Sequence, residues 1–252
     1  MALDGISRAR RPARAARPRA AVTVRVYAHR GASAELPENT MAAFRRAAEL
    51  GVDALELDIH ATRDGVLVVS HDPDGRRTAG VAARLADITY DEARRWDVGG
   101  GERLPRFEDV VSEFPRVALN VDLKRDVADA AVALLRRHGA EERVCLASFQ
   151  TSTMRRVRAL GYRGATALSR SEAMNALAWP ALLRRGPFRC RAKRAQLPVS
   201  LGRPWVLARM KALGLAVDFW TVDDPELARH LVSLGADGIM TNDPRRIIPA
   251  LR

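Results

Sequence analysis

Short β-rich runs alternate with helix-patterned segments from Val24 to the end of the chain, and this alternation limits the fold more than any other feature. Strand candidates are Val24–Ala28, Ala54–Ile59, Val66–Ser70, Val117–Leu123, Val144–Phe149, Gly164–Leu168, Arg194–Val199, Val217–Val222 and Asp237–Thr241. Helical patterns fill most of the gaps. The first is Asn39–Leu50, with Phe44, Ala47, Ala48 and Leu50 on one side; others are Val127–His138, Thr151–Leu160, Pro204–Leu213 and Pro225–Leu234. Strands alternating with helices form a largely parallel sheet, and this many units predict an α/β fold closed into a TIM-type (β/α)8 barrel. Nine runs are one too many. Only a few residues around Asp64-Gly65 separate Asp58 from the Val66 run, whereas a parallel crossover needs about a dozen or more. Those two runs are expected to form a local hairpin, leaving the barrel irregular near its second strand. Arg194–Val199 is the other candidate for exclusion.

A length of 252 residues admits one barrel or two small domains, with a core large enough to need no covalent staples. No stretch approaches the ~20 apolar residues of a membrane span. Cys145 and Cys190 are too few for a disulfide framework, and Cys145 sits in the apolar run Val144–Ala147 as a small core residue would. A reducing cytoplasm is the plain expectation. The net charge of +12 is unevenly spread. Met1–Val22 carries Arg8, Arg10, Arg11, Arg14, Arg17 and Arg19 against Asp4, among much Ala and Pro. A targeting segment, or an arm for nucleic acid or anionic lipid, has such a composition. Arginines interrupt the apolar core that a secretory signal needs, so residues 1–22 are expected to be a disordered basic extension. A second cluster, Arg184, Arg185, Arg189, Arg191, Lys193 and Arg194, contains no acid and suits a phosphate-rich substrate, a membrane surface or a solvated loop. Nucleic acid is not expected as a partner: aromatics are 5% of the chain, with only Phe188 and Trp179 at the margin of the basic runs.

Polar groups gather at the ends of the early strands. His29 and Arg30 follow the first apolar run, and His71 follows the third. Side chains alternate along a strand, so Glu56 and Asp58 point one way and Leu55, Leu57 and Ile59 the other. Two carboxylates on one face suit a hard divalent cation. Two histidines can divide acid and base work near neutral pH. Arg30 offers a permanently charged fork for phosphate oxygens. Taken singly, each of these residues is more often packed or solvated than catalytic. Their combination describes a site for cleaving a phosphate ester at one face of an α/β scaffold.

Asn120, Asp122 and Lys124 repeat the alternation, against Leu119, Val121 and Leu123. Turned inward, Asp122 would complete a metal sphere and Lys124 would hold a phosphate oxygen; turned outward, they are an ordinary surface pair. Trp220 is either a core plug or a wall for an organic group. Pro73–Leu104, with Tyr90–Trp96 as a short helix and Gly99-Gly100-Gly101 near its end, reads as an excursion over the barrel mouth serving as lid or substrate wall.

These residues resemble the glycerophosphodiester phosphodiesterase family, within the phospholipase-C-like phosphodiesterase superfamily. The resemblance runs through Ala28-His29-Arg30-Gly31, Pro37-Glu38-Asn39-Thr40, Phe44, Glu56-Leu57-Asp58, Thr62-Arg63-Asp64-Gly65 and Val68-Val69-Ser70-His71-Asp72-Pro73. It resumes at Asn120-Val121-Asp122-Leu123-Lys124, Ser148-Phe149, Trp220-Thr221-Val222-Asp223 and Gly235–Thr241. It implies that residues 23–252 form a single phosphodiesterase barrel domain, with 73–104 as an insertion. It also implies hydrolysis of glycerophosphodiesters to an alcohol and glycerol phosphate with one divalent cation, Mg²⁺ or Ca²⁺. His29 and His71 become the acid–base pair. Glu56, Asp58 and Asp122 become metal ligands, Asp122 standing where the family often has Glu. Arg30, Lys124 and Trp220 are then expected to bind substrate, with Glu38 and Asn39 in support. Thr241-Asn242-Asp243-Pro244 departs from the Asp-Arg that the family commonly has before the Pro, and is expected only to close the barrel. The implied route passes through a cyclic phosphate. The closest alternative is a lysophospholipase D-like or sphingolipid phosphodiesterase working against a membrane surface as a peripheral protein; a catalytically silent binding barrel is disfavoured by the intact set.

Overall fold

The computed structural model describes residues 24–178 and 191–252. The basic segment 1–22, and Trp179, Arg184, Arg185, Phe188, Arg189 and Cys190, lie outside the described residues. Among the described residues there are eleven strands: β1 (Arg25–His29), β2 (Ala54–Ala61), β3 (Leu67–Val69), β4 (Asp74–Gly75), β5 (Val81–Arg84), β6 (Ala118–Leu123), β7 (Val144–Ala147), β8 (Ala165–Thr166), β9 (Arg194–Pro198), β10 (Ala216–Trp220) and β11 (Gly238–Thr241). Eight of them pair side by side in the order β8-β7-β6-β2-β1-β11-β10-β9, each parallel to its neighbour. A parallel bridge between Ala167 and Arg194 joins the two ends. Lys193 N donates to Thr166 O at 2.8 Å and Leu168 N to Arg194 O at 2.9 Å across that seam. The result is a TIM-type (β/α)8 barrel.

The surplus run is β3. It pairs antiparallel with β2, Ile59 opposite Val69, as the short Asp64-Gly65 connection requires. Arg194–Val199, the other candidate for exclusion, is a barrel strand instead: β9 pairs with β10 from Arg194 to Pro198. Its membership also breaks up the second basic cluster. Arg194 turns inward and forms a bidentate pair with the fully buried Asp218 of β10, while Arg191 and Lys193 are exposed.

The helices that matter for the site are α1 (Met41–Glu49), α4 (Phe107–Glu113), α5 (Ala128–Arg137), α6 (Thr151–Ala159), α7 (Arg170–Ala178), α8 (Pro204–Ala212), α9 (Pro225–Ser233) and α10 (Pro244–Leu251). The first begins two residues later than the pattern suggested. Thr40 is its N-cap, accepting from Ala43 N at 3.2 Å, and Asn39 lies outside with φ +57°. Two apolar shells between sheet and helices hold the barrel together. In one, Leu55, Leu57, Ile59, Leu119 and Val121 pack under Phe44, Phe107 and Leu135. In the other, Val26, Leu197, Val217, Phe219 and Ile239 pack under Val206, Leu231 and Ile247.

The opposite parity of the same strands fills the interior. Tyr27, Ala54 and Met240 plug one end. Cys145, Ala147, Ala165 and Ala167 keep the interior small-sided along β7 and β8, so space opens there. The segment 73–104 carries β4, β5 and the single turns α2 (Arg76–Ala79) and α3 (Tyr90–Ala93), the second capped by a Thr89–Glu92 box and shorter than Tyr90–Trp96. Its apolar residues Leu85, Trp96, Val98 and Leu104 form their own small core against Val68 of β3.

Candidate active site

The site sits where the barrel strands end in their C-terminal direction. Register places the polar side chains in layers: His29 is level with Glu56, Glu56 with Asn120, and Asp58 with Asp122. Inward orientation of Asn120, Asp122 and Lys124 is thereby decided; all three line a cavity of about 530 Å³, together with His29, Arg30, Glu56, Asp58, His71 and Trp220. Glu38 and Asn39 stand behind this lining and hold it.

After His29 the backbone turns sharply, Arg30 at φ +58° and Gly31 at φ +83°. Gly31 passes so near α1 that a Cβ there would lie 2.7 Å from Ala43, so only glycine fits. The turn aims Arg30 N at Glu56 Oε2, 3.0 Å away, and its guanidinium at Glu38 Oε1, also 3.0 Å. Arg30 Nε lies 3.4 Å from Asp58 Oδ2, an ion pair without hydrogen-bond alignment. Asn39 Nδ2 donates to the same Asp58 oxygen at 3.1 Å. Lys124 Nζ is 2.9 Å from Asp58 Oδ1 and hydrogen-bonds Asp122 as well. His29 Nε2 comes within 3.9 Å of Glu56 Oε2.

Burial, then the charges of Asp58 and Asp122, push the Glu56 carboxyl well above the ordinary carboxylate range. Burial also pushes Asp122 up, against Lys124. Asp58 is equally buried, yet Lys124 and Arg30 outweigh desolvation and hold it below the usual range. Burial depresses His29, which favours its neutral imidazole. His71 Nδ1 lies 2.8 Å from Asp72 Oδ1, and Asp72 in turn is 2.6 Å from Arg77 Nε. Arg77 also donates to both oxygens of Glu38, at 2.8 and 2.7 Å, so one guanidinium of the 73–104 segment ties the His71 and Arg30 sides together.

Sequence reasoning passed over several residues here. Asn242 contacts His29 Nδ1 at 2.8 Å. His60, on the same inward parity as Glu56 and Asp58, places Nε2 3.2 Å from the His71 carbonyl. Gln196 donates to Asn120 at 2.6 Å across the barrel. The expected wall from 73–104 is absent from the cavity lining. That segment buries its large apolar residues in its own core. The wall comes from α7 and the ends of β7–β9 instead: Ala173, Met174 and Leu177, with Phe149, Leu168 and Leu201. Phe149 meets Trp220 edge-on at 6.0 Å, placing Trp220 at the junction of the polar and apolar halves.

Residues 29–246 match the model of the glycerophosphoryl diester phosphodiesterase family. The chain is 35% identical over 231 residues to the probable glycerophosphodiester phosphodiesterase 2 of Mycobacterium tuberculosis, covering 85% of this chain and 86% of that one. It is 30% identical over 242 residues to a glycerophosphodiester phosphodiesterase of Caldanaerobacter subterraneus, covering 90% and 97%. The structure of an Oleispira antarctica phosphodiesterase in complex with the product sn-glycerol-3-phosphate matches with a TM-score of 0.78 at 24% identity, over 90% of this chain and 96% of that one. At that identity the likeness speaks for the fold.

Proposed function

Because the chain belongs to the glycerophosphoryl diester phosphodiesterase family, and is thereby a phosphoric diester hydrolase, we propose that it hydrolyses glycerophosphodiesters to glycerol phosphate and an alcohol. In this reading His29 and His71 carry the protons, and Glu56, Asp58 and Asp122 hold one divalent cation, Mg²⁺ or Ca²⁺. The observation that carries it is the charge balance of the mouth. Among the described residues, Glu38, Asp58, Asp72 and Asp122 pair with three permanent cations, Arg30, Arg77 and Lys124, while Glu56 accepts the Arg30 backbone N–H. Five carboxyls against three cations leave two negative charges to be matched when all five ionise, and burial holds Glu56 and Asp122 back from ionising for want of such a partner.

The donor set suits a hard cation, which takes oxygen ligands. Among the described residues no three histidine, cysteine or carboxylate side chains already converge on one point; Lys124 lies between Asp58 and Asp122. A cation held by these carboxylates supplies Lewis-acid polarisation of a phosphoryl oxygen.

The chain's own groups account for the remaining chemistry. Arg30 and Lys124 stabilise charge on the non-bridging oxygens as it develops. One histidine accepts the proton of the glycerol hydroxyl adjacent to the ester as that oxygen bonds to phosphorus. The other delivers a proton to the departing alcohol oxygen as its bond to phosphorus breaks. Water then opens the cyclic phosphate, with the histidines exchanging roles. The α7 wall favours a second reading of the substrate. Its apolar surface suits the acyl chain that a lysophospholipid carries on its glycerol, the head-group alcohol still being the group released, and among the described residues no helix is long and apolar enough to cross a membrane. Choline release from glycerophosphocholine tests the histidine assignment. His29→Ala and His71→Ala are each expected to lose about 10²–10⁴ in rate; near-normal turnover by both variants overturns it.

A further inference from the structure

Barrel closure puts residues far apart in sequence side by side. Ala28 of β1 is level with Thr241 of β11, so the residues that follow, His29 and Asn242, emerge together at the mouth. His29 Nδ1 and Asn242 Oδ1 are 2.8 Å apart. Which of them donates is decided at the other end of the amide. Asn242 Nδ2 lies 2.8 Å from Asp223 Oδ2, and a carboxylate only accepts. The second Asp223 oxygen takes the Asn242 backbone N–H at 2.7 Å and the Thr241 hydroxyl at 2.8 Å. The amide therefore turns its NH₂ to Asp223 and its oxygen to His29. An amide oxygen cannot donate, so the hydrogen must sit on His29 Nδ1. In a neutral imidazole the lone pair is then on Nε2, the nitrogen on the Glu56 side. The backbones are tied as well: Ala34 N donates to Asn242 O at 2.9 Å, and Ser33 Oγ, with a single hydrogen to give, faces His29 O at 2.8 Å and Asn242 Oδ1 at 3.1 Å.

We propose that Asp223 and Asn242 are positioning residues that hold His29 in its Nδ1-protonated tautomer and so present Nε2 as its proton-exchanging nitrogen. The proposal rests on the histidine reading above. As the glycerol hydroxyl oxygen bonds to phosphorus it gives its proton to one histidine, and as the phosphorus–alcohol bond breaks the alcohol oxygen takes a proton from the other; His29 plays its part in either order through Nε2. The logic is that of a serine-protease triad, where a buried aspartate fixes the histidine tautomer. Here an amide stands between carboxylate and imidazole.

Imidazole ¹⁵N–¹H correlation spectra of the full chain with Mg²⁺ test the tautomer, the His29 signals being identified by their loss in His29→Ala. The wild type is expected to show a protonated Nδ1 and an unprotonated Nε2 at His29. Asn242→Ala is expected to lose that pattern and to lower kcat at least tenfold with little change in KM. Asn242→Asp sets two carboxylates face to face and is expected to be impaired. Asn242→Asp combined with Asp223→Asn reverses the pair while keeping an acceptor for His29, and is expected to return to within tenfold of wild type. An Nε2-protonated His29 in the wild type, or a double variant no better than Asn242→Asp alone, overturns the positioning role. An active His29→Ala enzyme overturns the parent reading instead, whatever the tautomer.

Discussion

Replacing Glu56 by Gln is expected to stabilise the cation-free protein and to abolish its response to cation. Glu56 is 5% exposed and faces Asp58 and Asp122, with Arg30 as its nearest compensating group. Gln keeps an oxygen to accept from Arg30 N, at present 3.0 Å from Glu56 Oε2. The substitution thus removes a buried carboxyl that is costly whether held protonated or ionised, without orphaning the Arg30 N–H, a change worth about 1–3 kcal/mol. For a chain of this size about 2–4 °C accompanies each kcal/mol, so chelator-treated Glu56→Gln should melt a few degrees above chelator-treated wild type. Saturating cation closes or reverses that gap. A ligand at a hundred times its dissociation constant stabilises by about 2.7 kcal/mol, which raises the wild-type Tm by about 5–10 °C. The variant, one ligand short, should barely move. Thermal unfolding followed by circular dichroism, with Mg²⁺ and with chelator, reads all four states. A lower Tm for the variant in chelator, or equal gains for both proteins on adding cation, refutes the argument that burial penalises the Glu56 carboxyl until a cation binds.

Two further outcomes follow from the same structure. Burial pushes Glu38 up, but Arg77 and Arg30 win and hold it below the ordinary range; its contribution to stability is therefore present above the unfolded-state value, about 4.3, and lost as pH falls through the lower folded value. Glu38→Gln should flatten that acid limb in a series of urea denaturation curves. Asp218→Ala leaves Arg194 buried beside Tyr27 without its carboxylate, and should cost about 3–5 kcal/mol in the same assay.

Much of the site is legible in the sequence because strands have a period of two. The parity that sends Leu55, Leu57 and Ile59 under the helices sends Glu56 and Asp58 to the interior, and the same holds for Asn120, Asp122 and Lys124. The β2–β3 hairpin is legible because a connection as short as Asp64-Gly65 forbids a parallel crossover. What escaped depends on barrel closure. Nothing local to Asn242 announces a histidine 213 positions away, although an Asp and an Asn near the ends of two late strands were a usable signal. The inward polarity of Arg194 is invisible until Asp218 stands beside it on the neighbouring strand, because a cluster of basic residues reads as solvated whichever member is buried. The 73–104 segment misled for a different reason: Leu85, Trp96, Val98 and Leu104 are too scattered to look like a core, yet they make one. Once those groups are buried among themselves, the cavity is left to α7 for its wall.

Phosphorus NMR of glycerophosphocholine incubated with the purified protein tests the proposed activity most directly, run in parallel with Mg²⁺, with Ca²⁺ and with chelator. The expected result is conversion of the diester signal to that of glycerol phosphate with at least one cation and none in chelator. Conversion unaffected by chelator contradicts the cation assignment to Glu56, Asp58 and Asp122, and no conversion with either cation contradicts the proposed activity on this substrate.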